Sequence, residues 1–136
     1  MKNPNAQIVD FLALEGVATK AVAGTAVVYS RSYPVEMGAS YSFEYAFGSD
    51  GAVDAKIELE QGNVELTAAE EGLANANYVI PEDAAAFDIS ITDEVNHVKA
   101  YAPAATGYIR LKVTGQGSNA ATTVLSRARM IIVRPG

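Results

Sequence analysis

The stretch "YSFEYAF" puts an aromatic ring at every second position: Tyr41, Phe43, Tyr45 and Phe47, with Ser42, Glu44 and Ala46 between them. Side chains alternate faces at a period of two only in extended backbone, so the pattern predicts a β-strand with one aromatic face. Four rings on a face either pack a core or form a platform that stacks a sugar or a base. The chain has no tryptophan, a ring that stacking platforms favour. Phe43 and Phe47 are therefore expected to be buried core residues.

The same rhythm recurs along the chain. "AVDAKIELE" (52–60) sets Val53, Ala55, Ile57 and Leu59 against Asp54, Lys56, Glu58 and Glu60. Asp50-Gly51 lies between the two runs, and Asp-Gly is a hairpin signal, so the two strands are expected to pair. "FDISITD" (87–93) and "HVKAYAP" (97–103) read as shorter strands. In "GYIRLKVTG" (107–115), Ile109, Leu111 and Val113 alternate with Tyr108, Arg110, Lys112 and Thr114. "TTVLSRARMIIV" (122–133) is a long last strand with Val124, Ala128, Met130 and Ile132 on one face and Arg127 and Arg129 on the other. "AVVYS" (26–30) adds a strand near the start. Six to eight short strands with turns about every ten residues predict an all-β fold, an antiparallel β-sandwich of jelly-roll or Ig-like connectivity. Residues 24–136 form its single domain. Residues 1–23 are an N-terminal arm or peripheral strands, with a strand pair, a short helix and an arm all open.

Residues 67–86, "TAAEEGLANANYVIPEDAAA", break the rhythm. Thr67 and Glu70 have capping-box spacing, and Gly72 can stop a single helical turn. A connection this long in a compact domain is usually functional. Leu73, Tyr78, Val79 and Ile80 need a surface to bury against, so the loop, with or without residues 1–23, is expected to contact neighbouring subunits.

Composition excludes several chemistries. The 136 residues contain no cysteine and one histidine, His97, so neither a disulfide framework nor a His/Cys metal cluster is available. No apolar run approaches the length of a membrane span. Asp10 and Glu15 interrupt what would be the apolar part of a signal peptide. Nucleophilic catalysis needs a base beside its nucleophile, and no Gly-x-Ser-x-Gly elbow occurs. Glu58 and Glu60 share a strand face, the usual look of a solvated face rather than of a glycosidase pair. "GQGSNAAT" precedes strand-like residues, whereas a phosphate loop needs a helix behind it. "SDGAVD" lacks the alternating ligands of a calcium loop. The chain is expected to be no enzyme and to use no cofactor, nucleic acid or membrane.

The net charge of −6 conceals a division. Through Glu94 there are 16 acids and four bases; beyond it there are six bases and no acid. Three causes are open: opposite charges across neighbouring strands, contact between subunits, and polyanion binding. "QGSN" (116–119) is expected to join the last two strands as a hairpin. Arg110, Lys112, Arg127 and Arg129 would then gather on one bare sheet face and need an anionic surface against them. These four, with Leu73 and Tyr78, are the candidate interface residues.

"GYIRLKVTGQGSNAATTVLSRARMIIV" (107–133) resembles the final hairpin of small virion structural proteins of tailed bacteriophages. There, a strand of the type Tyr-(Ile/Leu)-Arg-(Phe/Leu)-Lys-Val-Thr-Gly runs into a Gly/Asn-rich loop and a last strand that begins at Thr. Such loops often read Asn-Pro-Ala-Asp-Thr; here Asn119-Ala120-Ala121-Thr122-Thr123 stands instead. "SYSFEYAFGSDGAVDAKIELEQGN" (40–63) and "EGLANANYVIPED" (71–83) are similar to earlier parts of the same proteins. The resemblance implies a non-enzymatic capsid decoration or cement protein, a homo-oligomer on the head that binds the major capsid protein or other virion proteins. Its location would be the virion, assembled in the host cytoplasm. It supplies no functional residues. The alternative is a carbohydrate- or receptor-binding β-sandwich module of a virion or cell-surface protein.

Overall fold

Ten strands and two single helical turns follow one another in a computed structural model, which describes residues 6–23, 26–49, 55–81, 89–91, 97–103, 105–115 and 122–134. The strands are β1 (Ala6–Asp10), β2 (Lys20–Ala23), β3 (Val27–Tyr29), β4 (Tyr33–Val35), β5 (Ser40–Ser49), β6 (Ala55–Gly62), β7 (Ile89–Ile91), β8 (His97–Tyr101), β9 (Gly107–Gly115) and β10 (Thr122–Val133). The turns are α1 (Phe11–Leu14) and α2 (Ala68–Glu71). The chain is an all-β antiparallel sandwich. Sheet A runs β1-β10-β5-β8, with β2 also on β10; sheet B runs β3-β9-β6-β7, with β4 also on β9.

β1 and β2 occupy successive lengths of the same edge, opposite residues 129–133 and 122–125 of β10. β3 and β4 divide the edge of β9 in the same way. If each divided edge counts as one strand, the orders are 1-8-3-6 and 2-7-4-5, the connectivity of an eight-stranded jelly roll. Of the two connectivities open at the sequence level, the jelly roll is the one observed.

This connectivity corrects both expected hairpins. β5 pairs with β10 and β8, whereas β6 pairs with β9 and β7, so these consecutive strands lie in opposite sheets. β9 and β10 are likewise in different sheets. Residues 50–54 and 116–121, on which those hairpin signals fall, lie outside the described residues. Period two identifies strands and their inward faces, but carries no information about which strand is the neighbour. Rings and aliphatics meet face to face across the sandwich rather than side by side.

The core is built as the alternation requires. Tyr41, Phe43 and Tyr45 project from β5 toward Ile57 and Leu59 of β6 and Ile109, Leu111 and Val113 of β9, and all belong to one buried cluster. The Phe47 side chain lies outside the described residues. Phe43 has no exposed surface, and its ring stacks on Phe11 at 6.4 Å between centroids. Phe11 reaches the core because α1 interrupts the edge strand. Asp10 caps that turn by accepting from the backbone N–H groups of Leu12 and Ala13 at 3.0 and 3.2 Å. Gly16, at φ 74°, then reverses the chain in a conformation that favours glycine. Residues 6–23 are thus the edge of sheet A and contribute Val9, Phe11, Leu12 and Val22 to the core.

One inward assignment shifts. The register of β10 against β5 slips between Leu125 and Arg127, a β-bulge at Ser126, whose hydroxyl donates to the Ala46 carbonyl at 3.1 Å. The extra residue turns Leu125 into the core in place of Val124, while Ala128, Met130 and Ile132 keep their expected face.

Phe43→Ala should lower unfolding free energy by about 3–5 kcal/mol in denaturant titration; a loss under about 1 kcal/mol would contradict this core. Burial pushes the Tyr45 phenol up to about 12 from its ordinary 10. The folded state resists ionisation that the unfolded chain accepts, so this contribution is complete below pH 10 and fades as pH rises from 10 to 12. Phenolate absorbance should show at least one tyrosine that ionises only with alkaline unfolding or near pH 12. Titration of all seven tyrosines near pH 10 with the fold intact would contradict it.

Candidate interaction surfaces

Between β6 and β7 the chain leaves sheet B and folds back across its outer face. Leu66 is buried. The Thr67 N–H donates to Glu70 Oε1 at 3.0 Å, the Glu half of the expected capping box, and α2 follows. This bond holds the Glu70 carboxyl below the usual carboxylate range. After α2 the segment rejoins the sheet at Val79, which exchanges two backbone hydrogen bonds with Gln61, of 2.8 and 3.0 Å. Tyr78 lies beneath the crossing, 4% exposed, and its hydroxyl donates to the Val64 carbonyl at 2.6 Å. Burial raises its phenol above the ordinary value. Gly62 is required here because a Cβ would run into the Tyr78 ring.

Arg110 fastens this crossing to the sheet. It stands on the outward face of β9, yet it has no exposed surface. Its Nε donates to Oε1 of Glu60, its register partner across the ladder, at 2.9 Å. Its Nη1 donates to the carbonyls of Glu71, the last residue of α2, and Leu73 at 3.1 and 2.8 Å. The guanidinium carbon lies 3.7 Å from the Tyr29 ring centroid and 5.2 Å from that of Tyr78. An isolated buried charge costs several kcal/mol, and here a carboxylate, two carbonyls and two ring faces offset that cost. Nη2 has no hydrogen-bond partner among the described residues. A second tie comes from the Glu71 carboxylate, which accepts from the Ser32 N–H at 2.6 Å and from its hydroxyl at 3.2 Å.

The candidate interface residues are therefore dispersed. Arg110 and Tyr78 are buried within the chain and offer no surface to a partner. Lys112 is half-buried, opposite Glu58 in the register. Arg129 lies on sheet A, with Nε 2.7 Å from Glu44 Oε2; Arg127 is exposed on the same strand. The expected face with four cations does not exist, because β9 and β10 belong to different sheets. Leu73 divides its functions: its carbonyl binds Arg110, while the residue is 64% exposed. Val79 is 61% exposed and Ile80 is also exposed.

Three of the early acids meet late bases within the chain. Glu60 meets Arg110, Glu44 meets Arg129, and Glu36 meets Arg134 at 2.8 Å. The latter two pairs are partly exposed, where such contacts contribute about 0–1 kcal/mol. No sequence signal distinguishes Arg110 from an ordinary solvated arginine, since both occupy outward positions.

Two hollows border the crossing. One, of about 550 Å³, lies between Gln61–Asn63, Ala76–Pro81 and the 105–106 turn. The other, of about 440 Å³, lies beside Pro34, Tyr108 and Arg134, and shares Asn63 and Thr106 with the first. Among the described residues no three His, Cys, Asp or Glu side chains are placed to hold a metal ion. No helix among them is long and apolar enough to cross a membrane.

No family model matches the chain, and no curated protein is similar to it in sequence. Among solved structures, a chain from the structure of infectious bursal disease virus Gx strain superposes with a TM-score of 0.51 at 13% identity, over 96% of this chain and 33% of that one. A chain of the glycosylation-associated Gap123 complex from Streptococcus agalactiae gives 0.48 at 10% identity, over 98% and 25%. The xylanase 10B CBM22-1-GH10 modules from Clostridium thermocellum, complexed with xylohexaose, give 0.43 at 13%, over 97% and 26%. The chain thus spans a quarter to a third of the length of these proteins, and the first likeness shows the fold alone.

Arg110→Met keeps most of the side-chain volume and leaves Glu60 buried without its cation. It should cost about 3–5 kcal/mol and speed amide hydrogen exchange at 64–80 well before the sheets. Unchanged exchange in that segment would contradict the clasp.

Proposed function

We propose that this chain is a non-enzymatic structural subunit of a tailed-bacteriophage particle, a decoration or cement protein that binds the head shell as a homo-oligomer. The observation that carries this reading is the crossing segment. It is fastened to sheet B through Arg110, Glu71 and Tyr78, yet it holds Leu73, Val79 and Ile80 outward. Apolar side chains on a firmly held backbone suit association, since little ordering cost remains to be met on binding. The likeness of residues 38–133 to small phage virion proteins supports the same reading. So does the jelly roll, an architecture used in capsids, although a fold alone does not assign a function. The major capsid protein is the partner that this reading requires.

Purified protein added to phage heads that lack it should bind at a fixed number of sites, visible as extra density by electron cryo-microscopy. Sedimentation of the free protein should give a multiple of 14.3 kDa. Leu73→Asp with Val79→Asp should leave the circular dichroism spectrum intact and abolish binding to heads. Heads that take up none of the wild-type protein would overturn the virion reading. A 14.3 kDa species at all concentrations would overturn the homo-oligomer.

A further inference from the structure

We propose that the two hollows beside Asn63 form one groove for a neutral oligosaccharide, a site independent of whether the chain is a virion subunit. Among the described residues, none that lines the larger hollow is an acid or a base. That matters in a chain whose first 94 residues carry 16 acids. Among these residues a phosphate, a carboxylate or a metal ion would find no opposite charge to offset its lost hydration. Its polar groups include the side chains of Gln61, Asn63, Asn77, Tyr101 and Thr106, beside the apolar surfaces of Val79 and Pro81. A side-chain amide offers two donors and an acceptor in one plane, and a hydroxyl offers both. Such groups match the hydroxyls of a sugar, while its C–H faces need apolar contact.

The walls are held before any ligand arrives. Gln61 is fixed at both ends of its amide: Oε1 accepts from the Tyr101 hydroxyl at 2.5 Å, and Nε2 donates to the Ala105 carbonyl at 2.8 Å. It therefore ties the 105–106 turn to β6. Asn77 is carried on backbone fixed by Asn75 Oδ1 at 2.9 Å and by the Gln61–Val79 bridge. Asn63 and Asn77 are exposed and line the hollow, and their amides serve the ligand. Preformed walls of this kind limit the ordering cost of binding.

The second hollow extends the groove past Asn63 and Thr106 toward Tyr108, a half-buried ring that can stack on a sugar face. Glu36 and Arg134 also line this hollow, their opposite charges paired at 2.8 Å, and the pair offers an acceptor and a donor to a vicinal diol. Each hollow falls within the roughly 300–1,000 Å³ of small-molecule sites, and together they suit two or more sugar units.

An array of neutral glycans covering hexose, N-acetylhexosamine, deoxyhexose and pentose units, with a heparin tetrasaccharide as anionic control, would find the ligand class. Saturation-transfer NMR with the best neutral glycan at millimolar concentration, and amide shift mapping, would locate it. Shifts should centre on residues 61–63, 76–79 and 105–108. Asn63→Ala with Asn77→Ala should weaken binding by about tenfold or more, with the rest of the amide spectrum unchanged. No neutral glycan bound, binding only to the heparin fragment, or binding undiminished in the double variant would each overturn the proposal.

Discussion

A guanidinium with no exposed surface lies on the outer face of sheet B, and the surface of the molecule is organised around it. Arg110 joins β9 to β6 through Glu60, to β3 through the Tyr29 ring, and to the crossing segment through two carbonyls and the Tyr78 ring. Buried ion pairs are often no better for stability than apolar residues of the same shape. The contribution of this one lies in position. Apolar contact alone would let the segment slide, whereas a planar fork that donates to defined acceptors admits one placement. From that placement follow the outward Leu73 and Val79 and the wall of the groove that carries Asn77.

The second constraint is connectivity. A jelly roll carries nearly every successive strand to the opposite sheet, so β1 is neighbour to β10, and β6 to β9. Strands distant in sequence must find each other, which is slow compared with local hairpin formation. The same arrangement lets early acids meet late bases within one chain, as Glu44 and Arg129 do. Part of the charge division along the sequence is thus a record of strand pairing.

The sequence was most legible where a single strand decides the outcome. Alternation identified Tyr41, Phe43 and Tyr45, then Ile57 and Leu59, then Ile109, Leu111 and Val113, as inward residues, and the Thr67–Glu70 spacing marked α2. Pairing was not legible, because an outward or inward assignment is the same whichever strand lies beside it. The Asp50-Gly51 and "QGSN" signals describe local turns and not the sheet to which the chain goes next. The bulge at Ser126 was hidden because one inserted residue leaves no compositional mark. Arg110 was correctly placed outward, but nothing in its strand says that a segment 37 to 39 residues earlier will cover it.

Arg110 lies against the Tyr29 and Tyr78 rings and is bonded to Glu60, an enclosure that its own side-chain signal reports. Of the five arginines, one should give an Nε–H signal in a nitrogen–proton correlation spectrum that exchanges slowly with water. It should be moved upfield by the Tyr29 ring and show cross-relaxation to the rings of Tyr29 and Tyr78. Five arginine signals that all exchange as rapidly as those of exposed side chains, with no ring contact at Arg110, would contradict the account.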